Sequence, residues 1–377
     1  RHPQLSNPSL SPDGQMLAVS VRNTDKDGSD SYQLAVLHLP DLKVLSRLDM
    51  ARRNVPGQVV WVSNTRLVVA LAYQSAWLDV PQLTGELVAL DYDGSHKATL
   101  YSLANRGNSI HSQDMPRGWA FIDGVPAPRN DHIYVDLRPF PTGNYTIYDQ
   151  SSSMVYDVDT HSGAAVLMGK INKGDMKFVV HAGVARLAYG SPDAGATIQT
   201  FIRDNQDQPW RQLPASVTGK ELIPLRISAD GSRMWSMYSA DGGPEQLVSS
   251  KLDGSDRQVL ASDSFASVDD ILWAPQHGAP YAASLAVGRP QFVTLDDSPL
   301  AQVQQALSAK FPDEAIEIAG HSDDGMVLLI HAYSDRDPGT YALFDRHGMN
   351  LRPLFQSEPW IKPAQMARRK PIRFKAS

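Results

Sequence analysis

Residues 7–48 read NPSLSPDGQMLAVSVRNTDKDGSDSYQLAVLHLPDLKVLSRL, and this stretch alternates short apolar runs with turns. Pro12, Asp13 and Gly14 indicate the first turn, because proline presets a negative φ and glycine accepts a positive one. The run at 15–22 (QMLAVSVR) is typical of a strand, and the run at 32–39 (YQLAVLHL) alternates apolar and polar residues like a half-buried strand. The stretch therefore predicts a four-stranded antiparallel meander.

The same pattern recurs along the rest of the chain. The predicted four-stranded units lie at about 7–50, 57–104, 118–169, 176–215, 221–262, 267–312 and 314–356. Consecutive strands without intervening helices exclude a parallel α/β sheet and predict an all-β fold, a seven-bladed β-propeller of four-stranded antiparallel blades. Six or eight blades remain open, and a pair of β-sandwiches would also give many short strands.

The sixth unit departs from the pattern. Ser298 is a suitable helix cap, and Pro299 is tolerated at the first helical position. Apolar residues then recur with helical spacing up to Phe311. This predicts one short helix near 299–310, beside the fourth strand of the unit or in its place.

Composition excludes several classes of function. Lys and Arg number 35 and Asp and Glu 41, and the net charge of −6 argues against a nucleic-acid partner. The longest apolar runs are too short to cross a bilayer, so no membrane partner is predicted. Cysteine is absent, which excludes disulfides, thiolate metal sites and cysteine nucleophiles.

The sequence does not contain a complete set of catalytic residues. The segments 107–111 (GNSIH) and 320–324 (GHSDD) each lack the second glycine of a G-x-S-x-G nucleophile elbow. No histidine pair has the i, i+4 spacing of a helical metal site, so no catalytic residue, metal or cofactor is predicted.

The loops between second and third strands are the longest, and they lie on the face opposite the tight turns. Residues 74–84 and 139–153 carry the aromatics Trp77, Phe140, Tyr145 and Tyr148. Aromatic loops on a rigid scaffold indicate a ligand or partner surface, although packing of the loops on each other is equally compatible.

The last part of the chain resembles a known family. Residues 333–345 (YSDRDPGTYALFD), followed by Pro359-Trp360-Ile361 and residues 371–377 (PIRFKAS), resemble the prolyl oligopeptidase family of serine peptidases. Within that family, the acylaminoacyl-peptidase and dipeptidyl-aminopeptidase branch of bacteria is the most similar. The resemblance covers most of the chain but is sharp only near its end.

The resemblance implies a role without catalysis for residues 1–360. In this family a propeller restricts peptide access to a C-terminal α/β-hydrolase domain, which holds the Ser, Asp and His triad. The resemblance places residues 361–377 as a linker and first strand leading to that domain, so this chain alone is expected to be inactive. The expected partners are the hydrolase domain and a peptide or acyl-peptide substrate.

The resemblance also directs attention to residues that could hold a peptide. Arg129 and Arg138 flank the second strand of the third unit, and with Trp77 and Tyr145 they are the candidate substrate-binding residues. Ordinary surface arginines are the alternative. The resemblance implies a periplasmic or secreted location, and a cytoplasmic location remains open. The alternative function is a free-standing periplasmic propeller that binds another protein and has no enzymatic role.

Overall fold

The computed structural model describes residues 4–24, 28–51, 53–75, 78, 80–103, 115–140, 152–192, 197–285, 288, 291–370 and 372. These residues form seven antiparallel sheets of consecutive strands, which confirms the predicted seven-bladed β-propeller. Within each sheet, every strand pairs with the next strand in the chain, as expected of a meander with tight turns.

The first three blades contain β1 (Leu5–Leu10), β2 (Met16–Thr24), β3 (Asp30–His38) and β4 (Lys43–Asp49); β5 (Asn54–Trp61), β6 (Arg66–Tyr73), β7 (Gln82–Asp91) and β8 (Ala98–Tyr101); and β9 (Gly118–Gly124), β10 (His132–Pro139), β11 (Ser153–Asp159) and β12 (Ala165–Ile171).

Blades 4 and 5 contain β13 (Met176–His181), β14 (Val184–Gly190), β15 (Gln199–Ile202) and β16 (Arg211–Gln212); and β17 (Glu221–Ile227), β18 (Arg233–Ser239), β19 (Gln246–Lys251) and β20 (Gln258–Ala261). Blades 6 and 7 contain β21 (Val268–Trp273), β22 (Pro280–Leu285) and β23 (Gln291–Thr294); and β24 (Ala315–His321), β25 (Val327–Tyr333), β26 (Thr340–Asp345) and β27 (Asn350–Gln356).

Helices are few and short. The predicted helix is α2 (Pro299–Lys310), and the Oγ of Ser298 accepts a hydrogen bond from the Ala301 amide at 3.3 Å. It follows the three strands of blade 6 and packs its buried leucines against blade 7. A second helix, the single turn α1 (Ala215–Thr218), forms between blades 4 and 5 and was not predicted. Four residues are too few to show a helical period.

Apolar side chains fill the junctions between blades. Within the described ranges, a separate buried cluster lies at each of the seven junctions. At the junction that closes the ring, Leu10 and Leu17 of blade 1 pack with Leu329 and Leu343 of blade 7. Among the described residues neither blade gives a strand to the other, so side-chain packing and a few hydrogen bonds close the ring, such as that from Arg352 Nη2 to the Leu39 carbonyl.

The first strand of each blade lines the central channel. Consecutive first strands contact each other, as β1 with β5, β13 with β17 and β24 with β1, whereas outer strands such as β4 are largely exposed. All first strands run in one direction along the channel. One end of the ring, here called the tight-turn face, therefore carries the first-to-second and third-to-fourth connections, all of them described. The other, the long-loop face, carries the remaining connections.

No helix in the part of the chain that the structure describes has the length and apolar character needed to cross a bilayer.

Candidate functional site in the central channel

Basic side chains converge where the first strands reach the tight-turn face. His181 ends β13, His321 ends β24, Arg226 is next to last in β17, and His277 lies in the turn after β21. They come from four consecutive blades and are brought together by ring closure alone. Together with Arg129 they form what is called here the basic cluster.

Arg226 is the central charge of this cluster. Its guanidinium carbon lies 4.3 Å from the centroid of the Trp273 ring, which is a cation–π contact. Burial lowers the pKa of Arg226 to about 10, so the group stays charged at neutral pH. Among the described residues the guanidinium has no ion pair and no hydrogen bond.

Residues 125–131, the connection between β9 and β10, cross this end of the channel and are called the strap. Arg129 Nε lies 3.2 Å from both carboxylate oxygens of Asp323 in blade 7, and Nη1 donates to the Trp61 carbonyl in blade 2. Because blades 3 and 7 are not neighbours, the ion pair spans the channel end. The Asp323 amide also donates to the Pro12 carbonyl at 2.6 Å, which ties blade 1 to the same point.

The histidines of the cluster are held neutral. Burial lowers the pKa of His277, and the charges of Arg226 and Arg129 lower it further. Burial is also the main cause that lowers the pKa of His321, with the same two arginines adding to it and Asp323 opposing it. Each imidazole is therefore uncharged near neutral pH, although any added negative charge nearby would favour its protonation.

A separate acidic group lies between blades 3 and 4. Burial raises the pKa of Asp136 to about 7, although Arg138 and Lys177 act against it. Burial, and next the charge of Asp136, raises the pKa of Asp123 to about 8. One oxygen of Asp136, Oδ1, is buried without a hydrogen-bond partner among the described residues, which agrees with a carboxyl that is costly to ionise.

Arg138 belongs to this acidic group. Its Nη1 lies 2.5 Å from Asp175 Oδ1, its Nε lies 4.0 Å from Asp136 Oδ2, and the guanidinium stands over the Phe121 ring at 5.2 Å. The structure thus places Arg129 and Arg138 in two separate groups along the channel. Trp77 and Tyr145 lie outside the described residues.

The family resemblance rests partly on the DPG segment, Asp337-Pro338-Gly339. The structure explains why aspartate and glycine stand at these positions. Asp337 Oδ1 accepts a hydrogen bond from the Gly339 amide at 2.9 Å, which closes the turn between β25 and β26. Gly339 has a φ of +105°, and a Cβ there would lie 2.5 Å from His331 Nε2. The Tyr341 ring stacks on that imidazole with centroids 4.3 Å apart. Only glycine fits this position.

A cavity of about 310 Å³ between blades 1 and 7 is lined mainly by leucine and valine side chains. No group of three or more acidic or histidine side chains within the described ranges is arranged to hold a metal ion.

Sequence reasoning missed Arg226, His277, His321, Asp123 and Asp136. A usable signal existed, because the last residues of each unit's first strand must meet around one end of the channel. Comparing the last two positions of the first strands across the seven units would have selected Asp123, His181, Arg226 and His321 together.

Comparison with known proteins gives few sequence relatives and many structural ones. No family model matches the chain. The chain is 26% identical over 157 residues to the DNA primase TraC of Escherichia coli, a stretch that covers 41% of this chain and 11% of TraC.

Among solved structures, one from a study of two prolyl endopeptidases has a TM-score of 0.58 and 12% identity over 97% of this chain. Prolyl oligopeptidase B from Galerina marginata has a TM-score of 0.58 and 11% identity over 96% of this chain. This chain spans 51% and 52% of the lengths of those two chains, respectively.

The β-propeller domain of the trilobed protease from Pyrococcus furiosus, described as having an open velcro topology, has a TM-score of 0.52 and 9% identity. The match covers 95% of this chain and 99% of that domain. In the described part of this chain, the first and last blades exchange no strand. At these identities the likeness shows the fold, and the fold is a β-propeller shared with structures of peptidases.

Proposed function

We propose that this chain is the non-catalytic, substrate-selecting propeller of a serine peptidase of the prolyl oligopeptidase family. The observation that carries the proposal is the strap, because the ion pair of Arg129 with Asp323 obstructs the tight-turn end of the channel. Access to the channel is then from the long-loop face. A catalytic domain on that face would meet only peptides that pass the loops or the channel mouth.

The proposed partner is an α/β-hydrolase domain that follows this chain in the same protein. The structural neighbours support this, since the matched part is about half of each prolyl peptidase chain. The tail after β27 leaves the long-loop face, and the amide of Arg369 donates to Asp335 Oδ2 at 2.6 Å in the turn that contains the DPG segment. A domain attached beyond this contact would therefore start close to the channel mouth.

The proposed substrates are peptides or acyl-peptides, as in the acylaminoacyl-peptidase and dipeptidyl-aminopeptidase branch, in the periplasm or outside the cell. Arg138 is the better placed of the two candidate arginines, because it lies near the end of β10 that reaches the long-loop face. Either arginine would have to give up a carboxylate to act on substrate, Arg129 that of Asp323 and Arg138 that of Asp175. Trp77 and Tyr145 remain candidates on the long loops.

The experiment is a comparison of this chain alone with the product of the complete reading frame. The chain alone should fold, fail to hydrolyse chromogenic peptide and ester substrates, and resist labelling by a fluorophosphonate. The full product should be labelled at a serine in a G-x-S-x-G segment after Ser377. A stop codon directly after Ser377, or labelling of the chain alone, would refute the proposal. A stop codon would favour a protein-binding propeller instead.

A further inference from the structure

We propose that the basic cluster at the tight-turn end of the channel is a binding site for an oxyanion, either the carboxylate of a peptide terminus or an inorganic phosphate. The proposal stands on the geometry of this chain and goes beyond the peptidase function. It would hold equally for a free-standing propeller.

The first argument is the state of Arg226. A buried guanidinium normally reaches a carboxylate or several carbonyls. Arg226 has neither among the described residues, and every connection on the tight-turn face belongs to them. The guanidinium nitrogens of Arg226 are not among the buried side-chain atoms that lack a partner, so they are open to solvent. Its contact with the Trp273 ring is a cation–π contact, which uses none of the guanidinium N–H donors in a hydrogen bond. A planar fork of this kind matches the two oxygens of a carboxylate or phosphate.

The second argument is the pair of histidines beside Arg226. His321 Nδ1 lies 3.1 Å from the Ser322 carbonyl oxygen, which places the proton on Nδ1 and leaves Nε2 without a hydrogen-bond partner among the described residues. Protonation of Nε2 would add a donor and a positive charge next to Arg226. His277 is held through the backbone of Val125 in the strap, so it faces the same space.

The charges around the two imidazoles set how binding depends on pH. Arg226 and Arg129 act on both, His181 acts on His277, and Asp323 acts on His321. Asp323 is already paired with Arg129, so Arg226 is the cation left for a ligand. A bound anion would offset the arginine charges that keep the imidazoles neutral. Binding should therefore take up protons and tighten as the pH falls through the histidine range, near the ordinary pKa of 6.5.

The test is isothermal titration calorimetry on this chain with three probes at pH 6.0 and 8.0. The probes are inorganic phosphate, N-acetyl-trialanine with a free carboxylate, and the amide of the same peptide. Phosphate or the peptide acid should bind saturably and more tightly at pH 6.0, whereas the amide should not bind. Binding of phosphate alone would identify an inorganic ligand, and binding of the peptide acid alone would identify a peptide terminus.

Two substitutions locate the site. Arg226→Gln removes the charged fork and should weaken binding roughly 10- to 100-fold, whereas Arg211→Gln, which changes an exposed arginine of β16, should leave it unchanged. His321→Gln should reduce the gain in affinity between pH 8.0 and 6.0, and it carries the test if the Arg226 variant does not fold. No binding of either oxyanion, equal binding of the amide, or wild-type affinity in a folded Arg226→Gln variant would overturn the proposal.

Discussion

Asp136→Asn should stabilise the protein, and the gain should grow with pH. Asp136 is 3% exposed, and burial raises its pKa from 3.8 in the unfolded chain to about 7. The folded protein therefore holds a proton that the unfolded chain has lost between about pH 4 and pH 7. Stability from this group is highest at low pH and falls as the pH rises through that window.

The size of the effect follows from the shift. About three pKa units at about 1.4 kcal/mol each set a ceiling of about 4 kcal/mol above pH 7. Between pH 4.5 and pH 8 the difference between Asp136→Asn and wild type should grow by roughly 3 kcal/mol. Asparagine keeps the shape of the side chain and cannot ionise, so the pH-dependent part of the difference reports the loss of this carboxyl together with its effect on the pKa of Asp123.

The assay is urea denaturation followed by tryptophan fluorescence at pH 4.5, 6 and 8. The control is Asp204→Asn, which changes an exposed aspartate in the turn after β15 and should give a small difference at every pH. The Asp136→Asn difference should rise steeply between pH 4.5 and 8. A difference that is flat across this range would refute the claim that burial keeps this carboxyl protonated in the folded channel.

Other substitutions test the ring and the strap. Gly339→Ala should lower stability by about 1–3 kcal/mol in thermal denaturation, because a Cβ meets His331 Nε2 at 2.5 Å and φ is +105°; an unchanged melting temperature would contradict the assigned turn. Leu329→Ala at the closing junction should cost about 2–5 kcal/mol in urea denaturation, whereas Val166→Ala on the outer strand β12 should be nearly neutral. Arg129→Ala should speed amide hydrogen exchange in the strap with little change in global stability, and equal exchange would show that the ion pair does not hold the strap.

The propeller was predictable because the turns and strands that define it are encoded by residues close together in the sequence. Turns such as Pro12-Asp13-Gly14 and strand alternation recur within each unit, and neighbouring strands pair with each other in the fold. The helix at α2 was predictable for the same reason, since Ser298 and Pro299 mark its start within the sequence itself. The single turn of α1 has no such period and was missed.

The basic cluster was not predictable from any one unit, because its contacts depend on ring closure. Arg129 and Asp323 are 194 residues apart and meet only when blades 3 and 7 face each other across the channel. Arg129 was chosen from sequence as a substrate contact, yet its guanidinium already has a carboxylate. Arg226 was not selected from the sequence, yet of the two arginines in the basic cluster it is the one without a carboxylate partner among the described residues. A ring gathers one strand end from every blade, so an unpaired charge at such a position faces the shared channel and is available to a ligand there.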